Sequence, residues 1–215
     1  MNTSKQPTDR RKFIKQASLL TLAGGSLMSF SPFEPSSTSG LNDRNIVGPK
    51  EGFSPQLGTL VSMMNWMRHV ILMPVQGMSV KDLDYLIDDK ANSIGAMLWH
   101  LAATERFYQI HTFEGRNWGD WNQADQDEYN VASGLGDAAR AQIKGNPLEF
   151  YLEKLEKVRE YTLTEFAKRD DEWLMAVDQN WPWGPTNNYC KWFHVCEHES
   201  NHNGQFKFIK SRIPS

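Results

Sequence analysis

The stretch Lys191–Phe206, KWFHVCEHESNHNGQF, sets three histidines, two glutamates and one cysteine within sixteen residues. If it is helical, at about 100° per residue, His194 and His202 fall about 40° to either side of His198, with Gln205 close by. Cys196 then points about 160° away, toward the opposite face. Histidines four residues apart can close on one ion. His194 and His202, however, are separated by about 12 Å of helical rise, too far for one site with metal–nitrogen distances of about 2.0–2.1 Å. At most one adjacent pair, His194/His198 or His198/His202, supplies ligands, and a third must come from elsewhere in the chain.

The embedded HESNH spells HExxH, in which Glu199 would be the general base of a zinc peptidase. The surrounding sequence argues against that reading. Gly204 is followed by no histidine at the spacing of the longer zinc-protease motifs, no later helix offers a glutamate ligand, and no strand signal provides an edge to bind an extended peptide. Glu199, about 100° from His198, is expected to be a solvated charge at the bundle's edge.

Working outward, four segments carry helical periodicity. The first starts at Ser54–Pro55, a cap followed by proline at the first helical position, and carries Leu57, Leu60, Val61, Met64, Met67 and Ile71 as a stripe until Pro74. The second runs from Asn92 or Ser93 through SIGAMLWHLAATERFYQIHTF. The third is expected to be capped by Asn146 with Pro147 and Glu149, with Leu148, Tyr151, Leu152, Leu155, Val158, Thr162 and Phe166 inward. The fourth spans Asn187 to Lys210. Helices of about twenty residues are about 30 Å long, which predicts an all-α four-helix bundle over 53–215. Residues 115–145 form a long connection between helices two and three, with room for a short helix at 137–143. The loop DQNWPWGPTNN is expected to close one end of the bundle through Trp181 and Trp183.

The best third ligand is His100 on helix two. Ala96, Ala103 and Thr104 share its face and are small enough to let helix four come close, with Phe107 and His111 further along. Together, SIGAMLWHLAATE and HVCEHESNHNGQF resemble the DinB/YfiT-like family of metal-binding four-helix bundles, whose corresponding patterns run close to SIGxLLWHxAxxE and HvxxHExxHRGQI. The resemblance spans about Phe53 to Ile213. It implies that His100, His198 and His202 are the metal ligands, with His194 one turn away in support. Asn203 stands where the family usually has arginine, while Gly204 and Gln205 are retained.

Members of that family include thiol S-transferases and suspected hydrolases. The implied activity is therefore that of a metal-dependent transferase or hydrolase, with zinc or nickel as the cofactor by ligand softness and a small-molecule substrate such as a thiol. The alternative is an envelope binding or stress-response protein in which the metal, or a histidine network, is structural. Glu105 is expected to salt-bridge rather than bind metal, and His69 and His111 to be structural or exposed. Cys190 has His194 at i+4, but no third group is evident to orient that histidine.

Length and composition are those of a chain with one substantial core: 215 residues, 40% hydrophobic and 23% charged. A net charge of −3 gives no basic excess for nucleic-acid binding. Residues 1–30 resemble a twin-arginine export signal, with Arg10 and Arg11 preceding Phe13, Ile14 and a weakly apolar run from Ala17 to Phe30. That run is too short and too rich in Gly and Ser for a stable membrane span. Residues 31–52 read as a linker. An exported protein of the periplasm or envelope is expected. Cys190 and Cys196, about 9 Å apart along one helix, are too distant for a disulfide. An exposed bundle face is compatible with a homodimer.

Overall fold

The computed structural model describes residues 43–117 and 119–214. The expected export segment (1–30), and the linker up to residue 42, lie outside the described residues. Four long helices form the frame: α1 (Pro55–Leu72), α3 (Ile94–Thr112), α6 (Leu148–Phe166) and α8 (Asn188–Lys210). The shorter α2 (Val80–Leu83), α4 (Gln123–Gly134), α5 (Gly136–Gln142) and α7 (Asp171–Met175) fill the connections. The fold is the expected all-α bundle, and no helix among the described residues is long and apolar enough to cross a membrane.

The start signals act largely as read. Pro55 opens α1, the Ser93 side chain accepts from the Ala96 amide, and Asn187 accepts from the Cys190 amide, so two helices have an otherwise orphaned donor satisfied. The third cap differs. Pro147, not Asn146, occupies the cap position of α6 and makes no side-chain cap bond, while the Asn146 amide reaches the Lys144 carbonyl and the Tyr151 hydroxyl. The long connection holds two helices rather than one. Between α4 and α5, Leu135 takes a positive φ of 51°, which ends one helix and redirects the chain into the next. The expectation of no strand is also corrected: β1 (Val177–Asp178) pairs antiparallel with β2 (Thr186–Asn187).

α3 lies against α4, α6 and α8, and α1 against α8. One apolar cluster surrounds α3, joining Met97, Leu98 and Leu101 to Tyr151, Leu155 and Val158 of α6 and to Phe206 and Ile209 of α8. A second joins Leu57, Leu60 and Met64 of α1 to Phe166, Trp181 and Trp192. Trp192 is fully buried, and Phe113 stacks on it at 5.0 Å. Gly95 is required where α3 meets α6, because a Cβ there would lie 2.7 Å from the Tyr151 hydroxyl oxygen.

Four charged side chains, one from each long helix, meet inside this frame. Glu105 (α3) accepts from Arg159 Nε (α6) at 2.8 Å and from Arg68 Nη2 (α1) at 2.8 Å. Glu199 (α8) accepts from Arg68 Nη2 at 2.6 Å and from Arg159 Nη2 at 3.0 Å. The Thr162 hydroxyl donates to Glu105 at 2.7 Å. Two cations and two anions balance, which is the condition for keeping charges in a low-dielectric interior. The network also fixes how α3 and α8 are rotated toward each other, and that rotation decides which side chains the two helices present across their contact.

Candidate metal centre

His100, His198 and His202 meet between α3 and α8. His198 Nε2 lies 2.9 Å from His100 Nε2 and 3.2 Å from His202 Nε2. All three ligand atoms are within 4.8 Å of one another. The i, i+4 spacing on α8 brings its pair onto one face, and the small Ala96 and Ala103 of α3, both fully buried, let the helices approach. His202 is buried and the other two are half-buried.

The outer hydrogen bond of His100 fixes its chemistry. Its Nδ1 is 3.0 Å from the Ala132 carbonyl of α4. A carbonyl only accepts, so Nδ1 carries the proton, and Nε2 of the neutral ring presents a lone pair to the other two histidines. Burial holds the pKa of His100 below the ordinary histidine value, against the opposing pull of the Ala132 and Ser133 carbonyls. His198 is pushed down to about 3, by burial first and then by His202, His100 and His194. His202 is pushed down to about 4 by burial and by His100. Neutral imidazoles with converging nitrogens are the form that binds a metal.

These residues fit a divalent ion. Three nitrogens at about 2.0–2.1 Å from one tetrahedral ion would be about 3.3 Å apart, close to the two spacings observed. Without a cation, a single proton on His198 Nε2 satisfies only one of its two close nitrogen neighbours. His202 Nδ1 is buried with no hydrogen bond of ordinary geometry and no carbonyl to hold it as Ala132 holds His100, although the Gln205 side chain acts on this ring and opposes the fall of its pKa.

The rest of the HExxH string behaves differently from its sequence reading. Glu199 is 2% exposed, and its Oε1 is committed to Arg68 and Arg159. It is not solvated, and its Oε2 is buried without a hydrogen-bond partner. The expectation for Glu105 holds, since it salt-bridges the same two arginines. Cys196 sits on the far side of α8, with burial and the Glu199 charge raising its thiol pKa to about 11. Both cysteines are free.

His194 stands one turn from His198, ring centroids 5.4 Å apart, and shares a 2.8 Å hydrogen bond with the Tyr108 hydroxyl. His111 contacts the Arg116 carbonyl and Asp178, and His69 faces Arg44 at the surface. Arg68, Arg159 and Tyr108 escape the sequence reading. The signal for the arginines is a charge set within an apolar helical stripe: Arg68 after Met64, and Arg159 beside Val158 and Thr162.

The family model described as mycothiol-S-transferase matches residues 59–214, a span that takes in all three histidines. The chain belongs to this DinB-like family. The S-transferase family match covers all four long helices except the first turn of α1. A solved structure described as the conserved protein of a locus from Enterococcus faecalis shares the fold. It has 14% identity and a TM-score of 0.50, covering 70% of this chain and 92% of its own. No curated protein matches the chain.

His198 and His202 have folded pKa values below the unfolded value of about 6.5, so the unfolded chain binds more protons as pH falls. Their contribution is fully present above about pH 6.5 and is lost progressively toward their folded values. Thermal melts of the metal-free protein from pH 8 to pH 5 are expected to show a falling midpoint below pH 6.5. Relative to wild type, a double His198→Ala, His202→Ala variant should show a shallower fall; identical slopes would contradict the assignment.

Proposed function

We propose that this protein is a metal-dependent thiol S-transferase that uses His100, His198 and His202 to hold one divalent ion, zinc or nickel by the chemistry of the donor set. The observation that carries the reading is the convergence of three neutral imidazole Nε2 atoms in a chain of the mycothiol-S-transferase family. A divalent ion held there would lower the pKa of a substrate thiol, so that the sulfur is nucleophilic near neutral pH. In the transfer, the sulfur forms a bond to an electrophilic carbon of the second substrate, the leaving group departs with its bonding pair, and the thiol proton passes to solvent.

The chain's own residues prepare this chemistry. The Ala132 carbonyl holds the His100 tautomer, and Tyr108 steadies His194 beside His198. The Arg68–Glu105–Arg159–Glu199 network keeps α3 and α8 in register. A low-molecular-weight thiol such as mycothiol is the proposed co-substrate. Arg10 and Arg11 support an exported protein, for which the envelope fraction is the place to look. The test is formation of a thioether from such a thiol and an electrophile by purified protein loaded with zinc or nickel. Turnover should be lost on chelation and restored by readdition; metal-loaded protein that transfers no thiol to any electrophile would contradict the reading.

A further inference from the structure

We propose that Trp183 determines specificity for the electrophilic second substrate, its indole forming a stacking surface for a flat conjugated or aromatic group next to His194, on the approach to the three-histidine site. This rests on the S-transfer reading and extends it from the thiol to its reaction partner.

Trp183 sits in the local sequence Trp181–Pro182–Trp183–Gly184. Proline presets the backbone at the second position of a β-turn, and Gly184 at φ 94° completes it, its amide donating to the Trp181 carbonyl at 2.8 Å. The turn closes the β1–β2 hairpin, which is fastened to the bundle by Asp178. That carboxylate accepts from Lys191 Nζ of α8 at 2.9 Å and lies 3.1 Å from His111 Nε2 of α3. Trp181 is buried beneath, 4.8 Å from the His111 ring and 5.8 Å from the Tyr108 ring, with Lys191 Nζ 4.5 Å from its centroid. A rigid turn thus has one indole as its foot and a second, Trp183, above it.

Trp183 is 57% exposed although it has aromatic neighbours on two sides. Its ring meets Trp181 edge-on at 5.6 Å and His194 at 5.1 Å. His194 in turn contacts His198, so the exposed indole stands two ring contacts from the metal-binding face. Phe193 is also exposed, but it points about 140° away from His198 around α8. Lys191 and Asp178, the charged pair that fastens the hairpin, are committed to each other, and the charge acting on His194 is the carboxylate of Glu197, which favours an uncharged occupant over an anionic one.

The test compares 1-chloro-2,4-dinitrobenzene with iodoacetamide as electrophiles for the metal-loaded protein at saturating thiol. Trp183→Ala is expected to raise KM for the aromatic electrophile about fivefold to tenfold with kcat little changed, while KM for iodoacetamide stays put; Trp183→Phe should retain most of the aromatic preference. Equal losses for both electrophiles, or a raised KM for the thiol instead, would overturn the assignment. A second arm needs no turnover. Unreactive 2,4-dinitroaniline is titrated into metal-free protein and tryptophan fluorescence is followed. Saturable quenching should be present in wild type and weakened in Trp183→Ala; unchanged affinity in that variant would also overturn the proposal. If the protein transfers no thiol at all, the S-transfer reading falls while this second arm still decides the role of Trp183.

Discussion

Replacing His198 with alanine is expected to weaken divalent-metal binding by more than about 100-fold, beyond the range typical of changes to outer hydrogen-bond partners. His198 Nε2 is the nitrogen common to both close contacts, so its removal leaves His100 and His202 without the ligand between them. The His100→Ala and His202→Ala variants should behave alike. His194→Ala, which removes a neighbour held by Tyr108, should cost no more than about tenfold to 100-fold. Elemental analysis after gel filtration reads the stoichiometry, and competition with a chromogenic chelator reads the affinity. An unchanged far-UV circular dichroism spectrum would show that the bundle survives, since its apolar clusters do not depend on these rings. Full metal retention in all three alanine variants would remove the assignment.

Truncating Glu105 is expected to be the most destabilising change in the core. Its carboxylate is fully buried and bonded to Arg68, Arg159 and Thr162. Burial by itself would favour the neutral acid, but the Arg159 and Arg68 charges prevail and hold its pKa below the usual carboxylate range. In Glu105→Ala, two guanidinium groups face one remaining carboxylate, Glu199, in a site from which water is largely excluded. Breaking such a network costs about 3–5 kcal/mol. For a domain of this size that is a fall of about 6–20 °C in melting midpoint. Urea denaturation measures it directly; a loss below about 1 kcal/mol would mean that the arginines find other partners or water. Because the folded pKa is depressed, this stabilisation is present above the unfolded carboxylate pKa and is lost as pH falls through the folded one.

The long helices are legible because their stripes repeat at helical spacing and three of the four starts carry recognisable residues at Pro55, Ser93 and Asn187. The α6 start is misread, since Pro147 takes the position that Asn146 is chemically suited to fill. A ladder of two residues per strand is too short to show alternation, so the β1–β2 hairpin is invisible in the sequence. The three histidines can be read from i, i+4 geometry together with the family-like motif around His100.

Glu199 shows the limit of a short motif. HExxH fixes the direction of its side chain relative to His198 but not what lies in that direction. What lies there is Arg68 and Arg159, from helices far apart in sequence. No spacing rule connects four charges on four separate helices. The two arginines leave only a charge inside an otherwise apolar stripe, and Glu105, legible as a salt-bridging residue, comes without any sign of its partners. The Ala132 carbonyl that orients His100 leaves none, because a backbone acceptor is set by the fold alone.

The metal content and ligation of the wild-type protein purified without chelators decide whether His100, His198 and His202 hold a divalent ion. About one divalent transition-metal ion per chain is expected, with X-ray absorption showing three imidazole nitrogens at about 2.0–2.1 Å. Protein that stays metal-free in the presence of zinc and nickel, or binds an ion with fewer than three imidazoles, would contradict that assignment.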